Sequence, residues 1–69
     1  MERIKVQSSN IESVGYDSDS LTLEIAFLNG NTYQYFSVPE REYESLMRSS
    51  SKGSYLNSHI KNIYQERKI

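Results

Sequence analysis

Few residues of this chain could do chemistry. There is one histidine, His59, and no cysteine. Acid–base or nucleophilic catalysis needs a carboxylate, imidazole, thiol or hydroxyl held in place by a partner. His59 falls at the border of an apolar helical stripe, where a structural role suits it, and no Ser-His-Asp arrangement can be assigned. Glu40 and Glu44 stand one helical turn apart just after Pro39, a spacing that complements a helix N-terminus. Asp17-Ser-Asp19 starts like a calcium loop, but such a loop wants glycine at its sixth position and glutamate at its twelfth. Those positions hold Thr22 and Leu28, so the segment reads as a plain turn. No Cys/His spacing suits zinc. The expectation is a non-enzymatic protein with no catalytic residues, metal or cofactor.

Binding chemistry is better represented. Ser51-Lys-Gly-Ser54 opens a helical pattern, where free backbone N–H groups, Lys52 and the hydroxyls could hold an anion. It is not a Walker loop, because the leading glycine and its spacing are absent. The simpler reading, with Ser51 as helix cap, uses the same N–H groups. Charge is unevenly spread. Residues 1–45 carry three cations against eight acids, a balance of −5, and residues 46–69 five cations against one acid, +4. The outer side of the second helix would show Lys52, Asn57, Lys61 and Lys68, with Lys61 and Lys68 nearly on one line. Lys52, Ser54, Asn57, Lys61 and Lys68 are therefore the candidate nucleic-acid or anion-binding residues. So few cations predict modest affinity that fades with salt.

The remaining chemistry is aromatic: six tyrosines and two phenylalanines. Tyr33 and Tyr35 alternate within one strand, so both rings share a face. Asn29-Gly30 marks the preceding hairpin. A two-residue loop would put both rings on the polar face, as a stacking platform. A three-residue loop, Leu28-Asn29-Gly30 with Gly30 left-handed, pairs Phe27 with Asn31 and turns both rings inward, because one residue of register reverses every side chain. The second register gathers Val14, Tyr16, Leu21, Leu23, Ile25, Phe27, Tyr33 and Tyr35 on one apolar face. A domain with 36% hydrophobic residues cannot divide them between two faces, so this register is expected.

The elements that position these residues follow. Ile11 to Tyr16 reads as a strand, with Gly15 marking a bulge or a close backbone approach. Asp17-Ser-Asp-Ser20 is a turn that would set Tyr16 opposite Leu21 and Val14 opposite Leu23. Met1 to Gln7 reads as a short edge strand or an unpaired terminus. Pro39 suits the first position of a helix, and Tyr43, Leu46 and Met47 form its apolar stripe. A second helix is expected from Ser51, with Leu56, Ile60, Ile63 and Tyr64 facing inward, and Glu66 to Ile69 fraying. The fold class is α+β: a three-stranded antiparallel meander followed by two helices covering its apolar face.

The 69 residues make one domain. A chain this short buries only about 60% of its unfolded surface, so its margin is thin. It has neither disulfide nor zinc to reinforce it. Its longest apolar run, Ile25-Ala26-Phe27-Leu28, is too short for a membrane helix or a signal-peptide core. The absence of cysteine fits a cytoplasmic protein.

The arrangement Ser8-Ser9-Asn10-Ile11, Val14-Gly15-Tyr16, Leu23-x-Ile25-x-Phe27-x-x-Gly30, Tyr33-x-Tyr35, Val38-Pro39, Tyr43 and Ser51-Lys-Gly-Ser-Tyr-Leu-Asn57 with Ile60 and Tyr64 resembles the KTSC domain. That is a short bacterial domain also found at the C-terminus of some lysyl-tRNA synthetases. The likeness spans roughly residues 6–64, and Tyr33, Tyr35, Gly53, Tyr55 and Asn57 stand at its motif positions. It implies no catalytic residues. The synthetase fusion suggests RNA as the partner. The alternative is a protein-interaction or structural module, including a homodimer.

Overall fold

The computed structural model describes all of residues 1–69. Five strands form one antiparallel sheet in chain order: β1 (Ile4–Lys5), β2 (Ile11–Asp17), β3 (Thr22–Phe27), β4 (Thr32–Tyr35) and β5 (Glu66–Lys68). Between β4 and β5 lie α1 (Glu40–Arg48) and α2 (Lys52–Tyr55), which continues into a π-helical turn, Leu56–Ile60. The α+β class stands, but the sheet has five strands where three were expected. The additions are the two edges. Strand β1 lies in the Met1–Gln7 segment read as an edge strand or an unpaired terminus, whereas β5, short and charged, lacks the apolar alternation by which a strand is recognised in sequence.

The expected β3–β4 register is present. Ile25 pairs with Tyr33 and Leu23 with Tyr35. The loop closes with the Phe27 N–H donating to Asn31 O at 2.8 Å and the Gly30 N–H to Phe27 O at 3.0 Å. Gly30 has φ +95°, which glycine adopts without steric penalty. Phe27 and Tyr33 meet edge to face, with centroids 5.9 Å apart.

The β2–β3 turn differs by two residues. Tyr16 lies opposite Leu23 and Val14 opposite Ile25, while Asp17 pairs with Thr22. A shift of two preserves every face but pushes Leu21 into the loop, at φ 56° and largely exposed. The Asp17 carboxylate shapes that loop by accepting from the Asp19 N–H and the Ser20 hydroxyl, both at 3.0 Å. A bulge at Glu12, between the Ile11–Phe27 and Ser13–Ala26 pairs, brings Ile11 onto the same face as Val14. Gly15 is the close approach, not the bulge. A Cβ there would stand 2.6 Å from Glu2 O.

The core is Ile11, Val14, Leu23, Ile25, Tyr35, Val38, Leu46, Leu56 and Ile60, with Tyr16, Phe27, Tyr33, Tyr43, Tyr55 and Tyr64 packed at its margin. Full burial of one such aliphatic side chain contributes roughly 1.5–3 kcal/mol. Leu46 anchors α1, and Leu56 and Ile60 anchor α2 and its π turn. Pro39 sits at the cap position, one residue earlier than expected, and Glu40 opens the helix.

The second helix is shorter than its apolar spacing suggested. The Lys61 N–H donates to Leu56 O at 2.8 Å, a π-type bond. Lys61 is then extended and Asn62 turns left-handed at φ 67°. Asparagine tolerates this conformation and can stop a helix much as glycine does. Ile63 is therefore exposed rather than buried. The chain returns to the sheet, and residues expected to fray become β5, with Glu66 opposite Tyr35 and Lys68 opposite Tyr33.

Candidate functional site

The site is built where α2 crosses the end of the sheet. In the Ser8-Ser9-Asn10 turn, Ser8 Oγ accepts from the N–H groups of Asn10 and Ile11 and donates to Asn10 Oδ1 at 3.0 Å. Asn10 O in turn accepts from the Leu28 N–H at 2.9 Å, tying the turn to the end of β3. Gly53 lets α2 come down on it, since a Cβ there would lie 2.5 Å from Asn10 Oδ1. In the β3–β4 loop, Asn29 Oδ1 accepts from the Asn31 N–H at 3.0 Å.

These contacts leave a cleft of about 410 Å³ lined by ten residues. Asn10, Asn29, Asn31 and Asn57 contribute carboxamides. Lys61 and Glu66 contribute one charge of each sign. Phe27, Tyr33, Tyr35 and Leu56 contribute apolar surface. Tyr35 is 2% exposed. Burial first, and then the negative charges of Glu66 and Tyr33, push its phenol up to about 12. That hydroxyl makes no hydrogen bond within the protein, yet no sealed polar atom lacks a partner. It therefore keeps contact with solvent, and Tyr35 is among the residues that line the cleft.

The five sequence-derived candidates are divided by this geometry. Asn57 and Lys61 line the cleft. Lys68 lies across from Tyr33 on β5, so it is not on the second helix and forms no helical line with Lys61. Lys52 and Ser54 are elsewhere. Lys52 Nζ donates to Ser49 O at 3.1 Å, capping the end of α1, and the Ser51 hydroxyl donates to Ser54 Oγ at 3.0 Å. Ser51 occupies the helix-cap position without a side-chain bond to the helix backbone. Ser54 belongs to a separate hollow of about 230 Å³ with Ser49, Ser50, Ser51, Ser58, Tyr55 and His59. There His59 stacks on Tyr55, centroids 4.4 Å apart. Asn10, Asn29, Asn31 and Glu66 were not foreseen as cleft residues. The first three read as turn chemistry, and the fourth lay in the segment expected to fray.

Two further polar groups fix the frame. The Glu42 carboxylate on α1 accepts from both the Tyr55 hydroxyl and, at 3.0 Å, the Tyr64 hydroxyl, so one side chain joins α1, α2 and the approach to β5. Both phenols are pushed up, Tyr55 chiefly by that hydrogen bond and Tyr64 chiefly by burial. On the opposite face of the sheet the nearly buried Glu24 pairs with Arg3 at 2.6 Å and accepts from Gln34 Nε2 at 2.9 Å. No three His, Cys, Asp or Glu side chains are grouped to hold a metal ion. No helix is long and apolar enough to cross a membrane.

Comparison with known proteins places this framework. The crystal structure of the KTSC domain protein YPO2434 from Yersinia pestis superimposes with a TM-score of 0.94 at 46% identity, covering 99% of this chain and 96% of that one. An uncharacterized protein of Stutzerimonas stutzeri is 36% identical over 61 residues, 88% of this chain and 86% of its own. A lysine--tRNA ligase of Nostoc punctiforme is 38% identical over 58 residues, 84% of this chain but 10% of the ligase. Residues 7–64, carrying the Ser8–Asn10 turn, the Tyr33–Tyr35 pair and the Gly53 contact, match the KTSC domain, and the chain belongs to that family.

Proposed function

We propose that this domain is a non-enzymatic binding module whose ligand is RNA. The observation that carries the reading is the convergence of Asn57 and Lys61 with Tyr33, Tyr35 and Asn10 in one cleft, beside Lys68 on the neighbouring strand. Recognition of RNA combines cations for phosphates with aromatic faces and hydrogen-bonding edges for bases. The occurrence of a similar segment as a tenth of a lysine--tRNA ligase, an enzyme named for its RNA substrate, supports the same reading. The opening of α2 is less suited to an anion, because Lys52 is already engaged with Ser49 O.

The test is an amide-shift titration with a structured and a single-stranded RNA at low salt. Shifts are expected at Asn10, Tyr33, Asn57, Lys61 and Lys68. With two cations beside the cleft, log K should fall against log salt with a slope of about −1.4 for a single strand. Unmoved amides at all five positions would sink the reading.

A second reading, a protein-interaction module that pairs with itself or another chain, rests on the open sheet edges. Ile4 on β1 is 56% exposed and Ile69, beyond β5, 58%. Unpaired edges can template strand addition. Sedimentation as a strict monomer at high concentration would remove the self-pairing version.

A further inference from the structure

We propose that the cleft between α2 and the β3–β4 loop is a site for a single unpaired nucleobase. This rests on the RNA reading above and assigns the chemistry of its contact.

The charge of the lining argues for a neutral ligand. Lys61 and Glu66 cancel, and the rest of the polar lining is carboxamide and phenol. A phosphate placed inside would meet the Glu66 carboxylate, which repels it and offsets the attraction of Lys61. A heterocycle edge carries donors and acceptors side by side in one plane, as a carboxamide does. Asn10 and Asn29 spend their Oδ1 atoms on Ser8 and the Asn31 N–H, which leaves their NH₂ groups as donors. Asn31 and Asn57 make no side-chain hydrogen bond within the protein, so each offers both a donor and an acceptor. Tyr35, only 2% exposed, also lines the cleft and has a hydroxyl with no hydrogen-bond partner in the protein.

The walls argue for a flat ligand. Tyr33 and Phe27 both line the cleft with nearly perpendicular planes, so one ring can stack on a base while the other meets its edge, and such stacking tolerates any base because every base has a π-face. The volume of about 410 Å³ lies within the usual range of small-ligand clefts, about 300–1,000 Å³. Lys61 on the lining and Lys68 opposite Tyr33 put cations where the strand's phosphates would pass on either side of an inserted base.

The test compares five-nucleotide strands of A, C or U with a ribose-phosphate strand of equal length and charge that carries no bases, each titrated against the full chain at low salt. The best base-bearing strand should bind at least about tenfold more tightly than the abasic one. Asn57→Ala, an exposed position on the helix, should cut that preference below threefold, whereas Ser58→Ala, which faces the serine hollow, should keep it. Equal binding of base-bearing and abasic strands would leave the RNA reading standing and overturn the base site. Binding of no strand would overturn both. The comparison on the unmodified chain decides the matter even if a variant fails to fold.

Discussion

The buried phenol of Tyr35 makes alkaline stability a direct test of the core. Its ordinary value is 10.0, and burial with Glu66 nearby pushes it to about 12. In the unfolded chain the phenol ionises as pH passes 10, while the folded one stays neutral until about 12. The unfolded state therefore binds fewer protons across that window and gains on the folded state as pH rises. Stability from this group is fully present below pH 10 and lost through about 12. At about 1.4 kcal/mol per unit, two units come to about 3 kcal/mol. That is a large part of a margin near the bottom of the roughly 5–15 kcal/mol range for native proteins. Tyr16, Tyr55 and Tyr64 are also pushed up, so their losses add in the same direction. The perturbation is Tyr35→Phe, with denaturant melts followed by circular dichroism from neutral pH to about 12. At neutral pH the change should stay within about 1 kcal/mol, because the hydroxyl has no protein partner to lose. Between pH 10 and 12 the unmodified chain should lose about 3 kcal/mol more than the variant. Parallel losses, or a Tyr35 phenol that titrates near 10 in the folded state, would refute the inward register of β4.

Glu42→Gln keeps the shape of the side chain but leaves one acceptor where there were two. It should cost about 1–2 kcal/mol in denaturant melts, with a coupling of about 1 kcal/mol to Tyr64→Phe in a double-mutant cycle. Gly15→Ala drives a Cβ to within 2.6 Å of a backbone oxygen, so the segment around Glu2 must move. A loss of about 1–3 kcal/mol is expected, with displaced amide signals for Arg3 and Glu24 as their ion pair opens. Gly30→Ala meets no atom but forces a side chain onto φ +95°. Its cost should be about 1 kcal/mol by thermal melting, and Gly30→Asn should cost less.

The sheet's centre was legible because scarcity made it so. With few apolar residues, only one loop length after Phe27 could place Tyr33 and Tyr35 with Ile25 and Leu23, and that loop is present. The Asp17–Leu21 turn was harder, because a shift of two residues preserves every face and leaves no trace in an apolar pattern. The bulge at Glu12 was hidden for the opposite reason. Ile11 and Val14 break strict alternation, and only an extra residue reconciles them. The end of the second helix depended on Asn62, whose left-handed φ is allowed by its side chain but not demanded by it. The cleft could be read only in part. Asn57 and Lys61 carried a helical signal, whereas Asn10, Asn29 and Asn31 come from two separate turns that meet only after the sheet forms.

Strand order that follows chain order has a consequence for how the domain opens. Strands β1 to β4 are joined by short connections, so each pairing forms early and at low entropic cost. Strand β5 is separated from β4 by both helices, and its pairing closes by far the longest loop in the chain. It is held by three residue pairs at an outer edge. Its amides should therefore exchange with solvent through a partial opening well below the global free energy of unfolding. Because Glu66 rides on that strand, an edge that opens ahead of the core also forms part of the wall of the cleft.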